Sequence, residues 1–238
     1  TRARQGNVLA AGYGIALIGF AGFNLLLYRA GPMPVIGHVG LYAPVILLLY
    51  GLAMRSLYRY EQAQLAEYVE ERSERYPDVS LRQAVRGYVL AAVAVVAAGI
   101  WLPFIAGDLA AVMAWEQSFV GTLFVAAVTS APEVVVTLAA LRMGSVDLAI
   151  GNLFGSNLFN IAILAIDDLL YLPGPLLADV SIAHTASAFS AMMMSGLAVV
   201  GLVLRPQSRV MRSISWISVL LLIVYLLNTL FLYLHGSE

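Results

Sequence analysis

Seven apolar runs, each about 20 residues long, constrain this chain more than any other feature. They lie at 7–28, 37–58, 84–106, 118–141, 147–170, 181–204 and 214–234. None alternates with period two, so helices are the expected spanning element. The sequence is 61% hydrophobic and 11% charged, too little polar surface to coat a soluble domain of 238 residues. The expected fold class is therefore an all-α integral membrane protein with about seven transmembrane helices.

Charge placement gives these runs a direction. Every one of the 13 basic residues is arginine, with no lysine. Arg2, Arg4, Arg55 and Arg59 fall on one side of the expected membrane, with the arginines of 72–86, Arg142 and those of 205–212. Only Arg29 falls on the other. The crowded side reads as cytoplasmic by the positive-inside rule. The start of the chain and residues 59–83 are then inside, the C-terminus is outside, and the cell (inner) membrane is the expected location. No segment at the start has the layout of a cleavable signal peptide. The chain opens at Thr1, which suggests a fragment or a processed product.

Residues 59–83 are the one long polar segment, with Glu61, Glu67, Glu70, Glu71, Glu74 and Asp78 among four arginines. They read as a solvated linker, or in part as a surface helix, since Leu65, Tyr68, Val69 and Arg72 recur at helical spacing. Segments 46–58 and 221–233 align with Tyr50 over Tyr225 and Tyr58 over Tyr233. Their opposite orientation in the arginine pattern is the mark of an inverted repeat.

The two runs between Phe119 and Tyr171 carry the chemistry. The first holds Thr129, Ser130, Pro132 and Glu133; the second holds Asn152, Ser156, Asn157 and Asn160 beside Gly151 and Gly155. A carboxylate near a helix centre costs about 2.5–3.5 kcal/mol on insertion scales, which marks Glu133 as a functional candidate. Pro132 has no N–H and crowds the Val128 carbonyl, so a break near 128–132 is expected, with freed carbonyls lining a cavity. Ser130 and Glu133 also have capping-box spacing, and a cap carboxylate is the plain alternative. Ala126, Thr129, Ser130, Glu133 and Thr137 share one helical face, and Asn152, Ser156 and Asn160 another. The plain reading of the second face is helix-packing glue, with Gly151 and Gly155 admitting a neighbour. Together the two faces offer only oxygen ligands, which suits calcium or sodium and does not suit zinc or copper. One carboxylate does not neutralise a calcium ion, so this is half a site.

TSAPE followed by GNLFGSNLFN resembles the alpha-repeat of the calcium/cation antiporter superfamily, in its sodium/calcium exchanger branch. The family patterns are GTSxPE and GNxxGSNxFN; Val128 stands here for a usual glycine and Ala131 for a usual leucine. The resemblance covers about 84–234 and implies an exchanger that moves sodium against calcium by alternating access. It implies that Glu133 is a carboxylate ligand shared by both ions, with Thr129 and Ser130 giving hydroxyls and Ala126 its carbonyl. Ser156 would bind sodium and Asn160 would complete the central site, one charge weaker than the aspartate frequent there. It further implies that 84–106 is a sliding gate helix. Residues 1–58 become the last two spans of an incomplete first repeat, 59–83 a linker, and 84–238 a second, five-span repeat, one half of an inverted-repeat exchanger fold. The expected partners are calcium and sodium ions, the lipid bilayer, and a missing N-terminal repeat or a second copy. Neither a cofactor, an enzyme activity nor a nucleic acid is expected. Proton- or potassium-coupled exchange and a non-transporting scaffold are the alternatives.

Other polar residues have plainer readings. Asp167 and Asp168 read as a solvated helix end, Asp147 as a first-turn carboxylate favoured by the helix dipole. His184 reads as packed or hydrogen-bonded within its span, and Met192, Met193 and Met194 as filler. A retinal Schiff base needs a lysine, a metallohydrolase several histidines near a carboxylate, and a serine hydrolase a base beside Ser156; none of these is present at the required spacing.

Overall fold

The computed structural model describes residues 2–68, 80–113, 125–204, 209–210 and 214–235. Among them the chain forms α1 (Arg2–Ala30), strands β1 (Val35–Ile36) and β2 (Val39–Gly40), α2 (Tyr42–Tyr68) and α3 (Leu81–Met113). There follow α4 (Ala126–Thr129), α5 (Ala131–Arg142), α6 (Val146–Leu170), α7 (Leu176–Asp179) and α8 (His184–Leu204). The strands β3 (Arg209–Val210) and β4 (Ile214–Ser215) and helix α9 (Trp216–His235) complete the described chain. Among the described residues five helices are long and apolar enough to cross a membrane: Gln5–Ala30 of α1, Leu81–Met113, Val146–Leu170, His184–Leu204 and Trp216–Leu234 of α9. The protein is thus an all-α integral membrane protein. Helix α2 is not among the five; its 27 residues include Arg55, Arg59, Glu61 and Glu67.

One expected span takes a different form. The run from 37 begins not as a helix but as an antiparallel hairpin, with Val35 opposite Gly40 and Ile36 opposite Val39. Gly37 turns it with φ 67°, a conformation open to glycine without steric penalty. Helix α2 then runs ten residues beyond the expected end at 58, into the segment read as linker. That segment's residues 69–79 lie outside the described part, as do 118–124 of the fourth expected span.

The chain divides into two compact units, Thr1–Glu61 with Val135–Glu238, and Gln62–Val134. In the first, α1 packs on α6 and α8, and α8 on α9. Leu17 and Leu25 of α1, Tyr42 and Ile46 of α2, Phe154 and Leu158 of α6 and Leu177 of α7 share one core. Small residues set the spacing, as expected where lipid removes the hydrophobic drive between helices. A Cβ on Gly22 would stand 3.0 Å from the Ala188 Cβ.

The second unit holds α3 and α4. Helix α3 is 33 residues, about 50 Å at 1.5 Å per residue, longer than a hydrocarbon core of about 30 Å. Among its described side chains only Ala110 is buried, and Val89, Val93, Val96, Ile100 and Phe104 are exposed.

Candidate functional site

The candidate residues fall in both units, and each cluster is described in its own. Ala126, Thr129, Ser130 and Glu133 belong to the second. Helix α4 ends at Thr129 and α5 starts at Ala131, so the interruption at the proline is one residue wide. Ser130 keeps helical angles, φ −86° and ψ −5°. Its N–H reaches the Ala126 carbonyl at 3.0 Å, and its own carbonyl accepts the Val134 N–H at 3.1 Å. The expected break is therefore a pinch rather than an unwound stretch. Pro132 sits in the first turn of α5, where a missing N–H is tolerated.

The capping-box reading fails on the same geometry. An N-cap needs non-helical angles, and the Ser130 N–H that such a box gives to Glu133 goes to Ala126. Glu133 is a half-buried carboxylate in the first turn of α5.

Thr129 donates its hydroxyl hydrogen to the Val125 carbonyl at 2.9 Å and to the Ala126 carbonyl at 3.1 Å. The hydrogen is thus turned back on the helix while the oxygen keeps lone pairs for a cation. The Ala126 carbonyl accepts both Thr129 Oγ1 and the Ser130 N–H, which occupies both of its lone pairs. To ligate an ion it must release one of them.

In the first unit, α5 ends on a Schellman turn. Ser145 N–H bonds the Ala140 carbonyl and Gly144 N–H the Leu141 carbonyl, both at 2.9 Å, with Gly144 at φ 73°. The chain re-enters as α6 with Asp147 exposed in its first turn, as its sequence position implied. Asn152 Nδ2 donates to Thr137 Oγ1 at 3.2 Å, which is the helix-packing role expected of an amide here. Ser156 repeats the Thr129 pattern, donating to the Leu153 carbonyl at 3.0 Å. Ser156 is half-buried, while Asn157 and Asn160 are exposed. Gly151 does admit a neighbour, since a Cβ there would lie 3.2 Å from Asn7 Oδ1. Gly155 has no such neighbour within 4 Å among the described residues.

Two sequence readings need correction. Asp167 is exposed as expected, but Asp168 is not a solvated helix end: it is 0% exposed. Its Oδ2 accepts the Gly40 N–H at 2.9 Å, and its Oδ1 accepts the Leu176 N–H at 2.7 Å and a short bond from the Tyr42 hydroxyl. Tyr42 in turn accepts the Leu177 N–H at 3.1 Å. Sequence spacing gives no hint of this cluster, whose hydrogen-bonded partners lie up to 135 residues apart. The second correction is His184, which is exposed and opens α8 rather than packing inside a span. Among the described residues no group of three His, Cys, Asp or Glu side chains could hold a metal ion.

The chain's residues 84–234 match the model of the family described as sodium/calcium exchanger protein. It is also 46% identical over 56 residues to a protein of Methanosarcina acetivorans named sodium/calcium exchanger MaX1. That match covers 23% of this chain and 16% of the relative. No solved structure matches significantly. The match over 84–234 takes in both polar clusters, and the chain belongs to the sodium/calcium exchanger family, a family of membrane ion transporters.

Proposed function

We propose that this chain forms part of a cation antiporter that exchanges sodium for calcium across the membrane by alternating access. The observation that carries the reading is the pinched helix at Ser130: a half-buried carboxylate, Glu133, follows a hydroxyl, Thr129, whose hydrogen is already satisfied. In this reading Glu133, Thr129, Ser130 and the Ala126 carbonyl bind calcium and sodium in competition. Ser156 and Asn160 complete the set from α6. The arginine pattern supports 59–83 as a cytoplasmic linker between the spans of 1–58 and the repeat of 84–238. The remaining ligands come from another repeat or a second copy of the chain, because calcium takes 6–8 oxygens and one carboxylate leaves its charge uncompensated.

The test is sodium-driven calcium uptake into vesicles containing the full-length protein. Glu133→Gln should abolish uptake yet leave expression and detergent stability intact, since it removes a charge costing about 2.5–3.5 kcal/mol to insert. Asn160→Asp should tighten calcium relative to sodium. Normal uptake by Glu133→Gln would return Glu133 to a first-turn helix role. Uptake that follows a proton or potassium gradient instead would change the coupling ion and leave the site.

A further inference from the structure

Helix α6 carries two polar features that face different ways. The buried stripe of its core side is Phe154, Leu158, Ala162, Ala165 and Asp168. Asn152 and Ser156 each stand two residues before a member of that stripe, about 200° away at 100° per residue. The ligand-bearing face thus turns away from the apolar stripe that enters the core with α1. That stripe is made of alanines and two larger apolar residues, and apolar contact is non-directional. In lipid the association of such faces has no hydrophobic drive to sharpen it.

Polar contacts at the two ends do select. At the start, Asn7 of α1 donates Nδ2 to the Asp147 carbonyl at 3.2 Å, and Asn7 is 8% exposed. At the other end is the Asp168 cluster. The two lie 21 residues apart, about 31 Å at 1.5 Å per residue, close to the thickness of a hydrocarbon core. Asp168 is the stronger of the two anchors, since charge-assisted hydrogen bonds are shorter and roughly twice as strong as neutral ones. Its donors are also fixed. Two are backbone N–H groups, and the third, Tyr42, is held by the Leu177 N–H and by the edge-on Tyr28 ring, 5.7 Å between centroids. A Cβ on Gly40 would overlap the Tyr42 ring, so the hairpin has no slack at that point.

We propose that Asp168 is a positioning residue for cation binding: by locking the end of α6 to the β1–β2 hairpin and α7, it sets the rotation that aims Ser156 and Asn160. The inference rests on the exchange reading above. Asp168 is not itself offered to an ion, because it is fully buried and three donors close on its two oxygens.

The test uses the full-length protein in sodium-loaded vesicles, with calcium as the probe. Asp168→Asn replaces one acceptor oxygen by a donor, which opposes an N–H or the Tyr42 hydroxyl and lets the helix end turn. The half-saturating calcium concentration should rise roughly tenfold, the range a sub-ångström ligand displacement produces, while the maximal rate per folded molecule is retained. A cysteine at 157, placed in this cysteine-free sequence, should change its rate of modification by a hydrophilic thiol reagent in the same variant. Tyr42→Phe removes one of the three donors and keeps the ring, so it should shift half-saturation in the same direction by less. That variant decides the matter if Asp168→Asn does not fold. Unchanged half-saturation and unchanged modification in whichever variant folds would overturn the proposal. So would a loss confined to the amount of folded protein. If Glu133→Gln leaves uptake normal, the exchange reading fails by itself, and the modification rate at 157 alone decides whether Asp168 sets the rotation.

Discussion

Asp168 and the Ser156–Asn160 face sit on one helix, yet they handle polarity in opposite ways. Asp168 is sealed: three donors from three different segments close on its two oxygens. Ser156 turns its hydrogen back to its own helix, and Asn160 is exposed. Unsatisfied polar groups at membrane depth are expensive, so a chain either closes them with protein donors or keeps them for water and ions. The first solution fixes structure and the second leaves oxygen lone pairs available. The contrast separates which polar residues of α6 hold the helix from which are offered to a ligand. It also joins the chain that follows α1 to the chain that follows α6, whose connections 29–36 and 171–180 the arginine pattern assigns to one side. They meet at Gly40, Tyr42 and Leu176, and again where Arg29 Nη2 donates to the Val180 carbonyl at 2.9 Å.

The largest effect that this contrast predicts is on folding. Asp168→Ala strands the buried Gly40 N–H and Tyr42 hydroxyl and the half-buried Leu176 N–H, each worth about 1–3 kcal/mol when left unmade. Unfolding in detergent should lose at least about 3 kcal/mol, measured by denaturant or thermal titration. A loss below about 0.5 kcal/mol, the scale of a neutral surface change, would mean that the cluster is not an anchor. Gly40→Ala should follow. Its Cβ overlaps the Tyr42 ring and comes within 2.6 Å of the Tyr28 hydroxyl, so about 1–3 kcal/mol of overpacking is expected. Ser156→Ala and Asn160→Ala sharpen the other side of the comparison. Each should change unfolding by no more than about 0.5 kcal/mol while weakening sodium or calcium binding, read by calorimetry or flux. If they destabilise as much as Asp168→Ala, that face is packing glue after all.

What the sequence made legible follows from where the information is local. Helix spans at 147–170 and 84–106 were written in apolar length, and the family in two adjacent motifs whose residues lie within one helix pair. The Thr137–Asn152 bond was within reach of helical-face reasoning, as was Gly151 as a close-approach position. The Asp168 cluster was not. Its aspartate stands beside Asp167 at a helix end, where a solvated carboxylate is the ordinary outcome, and its partners Gly40 and Tyr42 are more than 120 residues away. The hairpin that supplies them was hidden inside an apolar run. Only Gly37–His38, a two-residue glycine turn between Val35–Ile36 and Val39–Gly40, signalled it locally. The pinch at Ser130 was half legible: Pro132 marks the place, but its position in the first turn of α5 decides that the interruption is narrow.

The smallest effect expected is a pH dependence beside the sealed cluster. Tyr171 follows α6 directly, and its hydroxyl donates to Asp179 Oδ2 at 3.0 Å. That hydrogen bond, with smaller contributions from burial and the Asp179 charge, raises the Tyr171 pKa above the ordinary tyrosine value. Only the neutral phenol donates, so the stabilisation is complete below the unfolded pKa and is lost as pH rises through the folded one. Tyr171→Phe should therefore melt slightly below the unchanged protein at neutral pH, and the gap should close in strongly alkaline buffer. The hydrogen bond is exposed, so solvent screens it and the gap is small. Asp168 has no exposed tyrosine among its partners, and its contribution, taken from Asp168→Ala, should not fade in that same alkaline range. A gap for Tyr171→Phe that persists at high pH would place the effect in ring packing. A parallel alkaline loss of the Asp168 contribution would show that Tyr42 is reached by solvent and that the cluster is not sealed.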